Sequence, residues 1–148
     1  MFTSLEEIRQ YIDNIDFSRI INKLVNYNGW LSEDALLTCK QYRNFLFLNR
    51  KYHANEALPP SEDIDEFWHA HILDTEAYAK DCQAIFGKFM HHYPYFGIDG
   101  RSDMHTANRA FETTKELYFK EFGEKIVPTR SQYPKFLYGL MKKMQRFN

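Results

Sequence analysis

The sequence predicts an all-α protein: one compact domain, residues 1–148, built as an orthogonal or irregular bundle of about six helices. Three observations support this prediction. Apolar residues recur at spacings of three and four along most of the chain, and residues that cap helices precede these stretches. No stretch shows the strict alternation of apolar and polar residues that marks a half-buried strand. A chain of 148 residues that is 44% hydrophobic is also large enough to bury its own core.

The first predicted helices lie near the N-terminus. One covers residues 3–14, where Thr3 and Glu6 fit a capping box. The next starts at Asp16 or Ser18 and ends before the Asn-Gly pair at residues 28 and 29. A third helix follows the capping residue Ser32, and it is expected to bury Ala35, Cys39, Tyr42, Phe45, Leu46 and Asn49.

The central helix is predicted from Ser61 to about Phe86. Pro59 and Pro60 end any regular structure that precedes this helix, and Ser61 can cap its first turn. Two acidic residues follow, where the helix dipole favours negative charge. Gly87 is expected to end this helix, and an irregular segment rich in histidine and aromatic residues follows it.

Two more helices complete the predicted bundle. One is capped by Ser102 or Asp103 and ends at Gly123. The last covers about residues 133–147, with apolar residues on one face and basic residues on the other. This pattern favours a helix docked on the core over a basic amphipathic helix at an anionic membrane surface.

Composition excludes several classes of function. The net charge of −1 provides no electrostatic footprint for nucleic acid. No apolar run is long enough to span a membrane, and the N-terminus has acidic residues where a signal peptide would be apolar. Cys39 and Cys82 lie in helical patterns, which is typical of reduced thiols. We therefore expect a cytoplasmic protein, and we find no motif for a nucleotide or an organic cofactor.

The histidines of the central helix cannot all serve one site. At about 100° per residue, His69 and His71 project about 200° apart, so one regular helix cannot bring both to a single ion. Asp65 and His69 are four residues apart and share a face. His71 instead falls on the broad apolar face that is expected to pack against the core.

Two hypotheses for a site remain. In the first, Asp65, His69 and His92 bind one divalent transition metal ion, with His91 as an alternate ligand from the same loop. A carboxylate and two imidazoles suit zinc, iron or manganese, and they leave a coordination position open. In the second, His71 is the working imidazole beside Tyr78 and Cys82, oriented by another helix, as a metal ligand or in acid–base chemistry.

Each feature also has a purely structural interpretation. His71 can be a hydrogen-bonded core histidine, Asp65 and His69 can be a surface pair, and the loop histidines can simply pack. Cys82 fits a small buried apolar residue better than it fits a nucleophile. The alternative to a metal protein is therefore a non-catalytic module that binds a partner protein. Whether the protein is an enzyme is left open by the sequence.

A motif in this region resembles a known family. It reads Asp65-x-x-Trp68-His69-x-His71, continues with Tyr78, Asp81-Cys82 and Phe86-Gly87, and ends with His92-x-Pro94. The pattern resembles the glycine-rich domain-containing protein-like family over residues 60–97, and more loosely over 107–123. With only six glycines, the chain would match that family's helical domain alone, with a core of about residues 58–123. The resemblance implies that the helix and the loop form one unit, with Trp68, Tyr78, Cys82 and Pro94 as structural residues. It implies no catalytic activity.

Overall fold

The computed structural model describes residues 2–52, 57–100, 104–129 and 144. These residues form six α-helices and no strand, which confirms the all-α prediction. The helices are α1 (Leu5–Asp13), α2 (Ser18–Asn26), α3 (Ser32–Tyr52), α4 (Glu62–Leu73), α5 (Thr75–Phe86) and α6 (Met104–Phe122). The helix predicted over residues 133–147 and the capping residues Ser102 and Asp103 lie outside the described residues, except for Met144.

Helix α3 is the centre of the bundle. It packs against α1, α2, α4 and α6, and it is buried on nearly every side over its middle turns. The six side chains expected to be buried on this helix are all buried. Its buried Asn49 accepts a hydrogen bond from the backbone N–H of Leu58 (2.7 Å), which ties the segment before α4 to the bundle. The core therefore surrounds α3, and α4 is held against it.

Two helix starts can be compared with the predicted caps. The Oγ of Ser4 accepts the backbone N–H of Glu7 (3.1 Å), so Ser4 caps α1 and the predicted pair of Thr3 and Glu6 is wrong by one residue. The Oγ of Ser61 accepts the backbone N–H of Ile64 (3.2 Å), which confirms the predicted start of α4. Both residues satisfy an N–H group that has no partner within the helix.

The predicted central helix is not continuous. Asp74 has φ −83° and ψ 73°, outside the helical region, and it separates α4 from α5. Its N–H bonds to the carbonyl of His71 (3.1 Å), and its carbonyl accepts the N–H of Tyr78 (2.8 Å). Asp and Thr are weak residues for a helix interior because their side chains compete for backbone hydrogen bonds, which explains a break at Asp74-Thr75. Helix α5 consequently packs on α4 and α1.

Gly87 ends α5 in the left-handed conformation, with φ +71°. Beyond it, residues 88–100 form turns and irregular structure that carry His91 and His92. One buried cluster includes apolar side chains from all six helices, so these elements share a core. No described helix is long and apolar enough to cross a membrane.

We predict that Gly87→Ala lowers the free energy of unfolding by about 1 kcal/mol, because a Cβ is disfavoured at positive φ. Chemical denaturation measures this loss. Gly123→Ala is the matched control: Gly123 has φ +69°, and a Cβ there would meet no atom within 4 Å. The two variants should lose similar stability. An unchanged unfolding midpoint for Gly87→Ala would contradict the prediction.

Candidate metal centre

Three side chains from α4 and the following loop meet at one point on the surface. His92 Nε2 lies 2.6 Å from Asp65 Oδ1 and 3.0 Å from His69 Nε2. His69 Nε2 lies 3.2 Å from Asp65 Oδ2. One possible ligand atom from each residue lies within 4.8 Å of the other two, a spacing that could hold a metal ion. The loop therefore folds back onto α4 as the first sequence hypothesis requires.

The hydrogen-bonding capacity of these groups does not match the number of their contacts. An imidazole nitrogen has either one N–H or one lone pair in the ring plane, directed one way. His92 Nε2 nevertheless faces both a carboxylate oxygen and a second imidazole nitrogen. Tetrahedral ligand atoms at 2.0–2.1 Å from a zinc ion are about 3.3–3.4 Å apart, so the three side chains must move slightly apart to hold one. The 2.6 Å contact is that of a charge-assisted hydrogen bond.

Helix α4 supplies Asp65 and His69 from its outer face. The two residues are one turn apart, so their side chains lie side by side. The side chain of His69 is 50% exposed and that of Asp65 is 31% exposed. The opposite face of α4 is buried, with Ile64, Phe67, Trp68 and His71 in the core. Core packing therefore sets which face of α4 meets solvent.

The loop is held by a second set of contacts. Trp68 Nε1–H donates to the hydroxyl oxygen of Tyr78 (3.0 Å), and the Tyr78 hydroxyl donates to the carbonyl of Met90 (2.5 Å). The ring of His92 packs against the indole of Trp68, with centroids 4.3 Å apart. The side chain of His92 is only 14% exposed. These contacts bring His92 to Asp65 and His69 on α4.

His71 lies on the buried side of α4 and has partners at both ring nitrogens. The Tyr42 hydroxyl donates to Nδ1 (2.7 Å), and Nε2–H donates to Asp81 Oδ2 (2.8 Å). The Tyr11 hydroxyl donates to the other oxygen of Asp81 (2.7 Å). Burial raises the pKa of both Tyr42 and Tyr11, which keeps these phenols protonated as donors. His71 is thus a hydrogen-bonded core histidine and lies apart from the centre.

The sequence alone does not identify the partners of His71. Asp81 stands out only as a motif residue, and Tyr42 only as an apolar position of α3. A carboxylate inside the apolar stripe of α5 was the one available signal, because a buried carboxylate needs donors. The predicted neighbour Tyr78 does contact His71, edge to face, with centroids 5.0 Å apart.

The remaining predicted residues lie around the centre. His91 is exposed and packs against Phe89, with ring centroids 4.8 Å apart, so it is not part of the cluster. Pro94 is exposed at the start of a turn. Cys82 is buried as a free thiol, and burial raises its pKa, which disfavours the nucleophilic thiolate. Cys82 is therefore a packing residue beside Tyr78.

A shallow cleft of about 350 Å³ lies next to the cluster, between α2 and α4. Asp65 and His69 line it, whereas His92 does not. The other lining residues are Lys23, Leu24, Asn28, Glu62, Glu66, Ala70 and Leu73. The cluster is thus covered by Trp68 and the loop on one side and is open to the cleft on the other.

The comparison with curated proteins and the comparison with solved structures each found no match, whereas the comparison with family models did. The model of the UCP032817-like family matches residues 7–145, a range that includes most of α1, all of α2 to α6, the cluster and nearly all of the C-terminal segment. The assignment to the glycine-rich domain-containing protein-like family is therefore wrong: its motif covered about forty residues, whereas the family match extends over both flanks. The chain belongs to the UCP032817-like family.

Proposed function

We propose that this protein binds one divalent transition metal ion through Asp65, His69 and His92. The observation that carries the proposal is the position of His92 Nε2, 2.6 Å from a carboxylate oxygen of Asp65 and 3.0 Å from His69 Nε2. A single nitrogen cannot satisfy two partners in different directions with one proton or one lone pair. A cation between the three ligand atoms satisfies all of them together.

The ligand set favours zinc, iron or manganese. Imidazole and carboxylate ligands suit these ions, and two histidines with one carboxylate occur at both zinc and non-haem iron sites. The carboxylate of Asp65 offsets part of the charge of a divalent ion at a half-exposed site. Three protein ligands leave at least one coordination position free, and the cleft lined by Asp65 and His69 gives it access to solvent.

The free coordination position determines what chemistry such a metal ion would supply. A metal ion with an exchangeable water lowers the pKa of that water and polarises carbonyl or phosphoryl oxygens. The cleft beside the ligands carries acidic, basic and apolar side chains. Hydrolytic or oxidative chemistry on a small substrate is therefore the class of reaction that this centre would serve.

A second candidate function is a non-catalytic interaction module. The loop exposes several large apolar side chains within ten residues: Phe89, Tyr93, Tyr95, Phe96 and Ile98. Neighbouring exposed apolar residues are a feature of protein-binding surfaces. In that case the histidine cluster would only hold the loop in shape for a partner protein.

We predict that tag-free protein binds about one equivalent of zinc, iron or manganese, and that His92→Ala weakens binding by more than about 100-fold. Even residues that only orient metal ligands contribute about 10–100-fold, so loss of a ligand should exceed this. Metal analysis and isothermal titration calorimetry measure both quantities. The matched control is His91→Ala, because His91 is the adjacent imidazole outside the cluster.

Two outcomes would contradict the proposal. Wild-type protein with less than about a tenth of an equivalent of metal, unchanged after incubation with each of the three ions, has no such site. An equal loss of affinity in His91→Ala and His92→Ala would also count against this ligand set.

Substitutions in the metal centre and in the buried network of His71 should have different effects on the free energy of unfolding. In the metal-free protein, His71→Ala should cost about 3–5 kcal/mol, because it removes one donor from a buried carboxylate and leaves a cavity in the core. His69→Ala should change stability by less than about 0.5 kcal/mol, since its side chain is half exposed. Zinc at 100 times its Kd should stabilise the wild type by about 2.7 kcal/mol and His69→Ala far less.

Thermal and chemical unfolding with and without zinc measure these differences. The His69 and His92 substitutions should not be additive, because either one removes the shared ion. Equal stabilisation of the wild type and His69→Ala by zinc would show that the ion binds elsewhere.

A further inference from the structure

We propose that Tyr78 is a positioning residue of the metal centre, which sets the metal affinity by holding the loop of His92 on α4. This inference rests on the proposed metal site. Tyr78 contacts none of the three proposed ligands through a hydrogen bond in the described residues, so its effect must pass through its neighbours.

The hydroxyl of Tyr78 connects the two segments that carry the ligands. It accepts the indole N–H of Trp68 (3.0 Å), the residue directly before His69. It donates to the carbonyl of Met90 (2.5 Å), two residues before His92. The indole of Trp68 also packs against the ring of His92, at 4.3 Å between centroids. One oxygen atom therefore links α4 to the loop through a hydrogen bond on each side.

The side chain of Tyr78, which makes this connection, is buried. Tyr78 is 1% exposed, and the ring of Phe89 packs edge-on against it from the loop, with centroids 5.1 Å apart. Burial also raises the pKa of Tyr78 well above its ordinary value, so its O–H remains a donor. A carbonyl that loses this donor must find another partner or move toward solvent. Loss of the hydroxyl should thus displace the Met90 segment and His92 with it.

The structure offers a matched control in Tyr42. Tyr42 is also fully buried, and its hydroxyl also bonds to a residue of α4. The bond of Tyr42 goes to His71, on the face of α4 opposite the metal ligands, and not to the loop. Tyr42→Phe and Tyr78→Phe each remove one buried phenolic oxygen, and only the second disconnects the loop.

The experiment measures zinc affinity by competition with a chelator, well below the unfolding temperature of each variant, and the visible spectrum of the Co²⁺-loaded protein. Tyr78→Phe should weaken zinc binding by about 10–100-fold, the usual effect of a residue that orients a ligand, and should alter the Co²⁺ bands. Tyr42→Phe should lower Tm but leave the Kd within about twofold and the bands unchanged. If Tyr78→Phe unfolds under these conditions, both tyrosine variants are compared at a lower temperature in a stabilising osmolyte.

Three results overturn the inference. Tyr78→Phe with wild-type affinity shows that the hydroxyl does not position the loop. Equal losses in Tyr78→Phe and Tyr42→Phe show that affinity follows overall stability. A wild-type protein without zinc affinity removes the metal site itself, and with it this role of Tyr78. In the last result the wild-type protein itself fails to bind zinc, whereas in the first two it binds zinc. The failure of the metal site can therefore be distinguished from the failure of this inference.

Discussion

The buried imidazole of His71 is the constraint on which the arrangement depends. Its two nitrogens bond to Tyr42 on α3 and to Asp81 on α5, and Asp81 in turn accepts from Tyr11 on α1. Four helices are thereby joined through polar groups inside an apolar core. Each of these groups would be costly to bury alone, so the helices can pack closely only in the arrangement that pairs them all.

This constraint fixes the rotation of α4 about its axis. Because His71 must face inward, His69 must face outward, at about 200° from it on a regular helix. Asp65 lies one turn before His69 and shares its exposed face. The same helix thus carries one histidine that stabilises the core and one that is available to an ion. The pattern His-x-His has two distinct roles in this chain.

The return of the loop depends on two departures from helical structure. The break at Asp74 lets α5 pack beside α4, which places Asp81 and Tyr78 next to residues of α4. The left-handed Gly87 then ends α5 and starts the segment that reaches Trp68. A continuous helix from Ser61 to Phe86 would have carried Tyr78 about three turns away from Trp68. The cluster therefore depends on this bend as much as on its three side chains.

Local sequence signals determined the fold class, the start of α4 at Ser61, the end of α5 at Gly87 and the shared face of Asp65 and His69. These depend on residues close in sequence, whose caps, dihedral preferences and periodicity act over a few positions. The convergence of His92 on that face could be proposed as a hypothesis, but its distances required the folded chain. Only the tertiary structure decided the break at Asp74, the pairing of His71 with Tyr42 and Asp81, and the bridge through Tyr78. Each of these residues could pair with many others in the chain. The packing of the whole core selects the pairs that form.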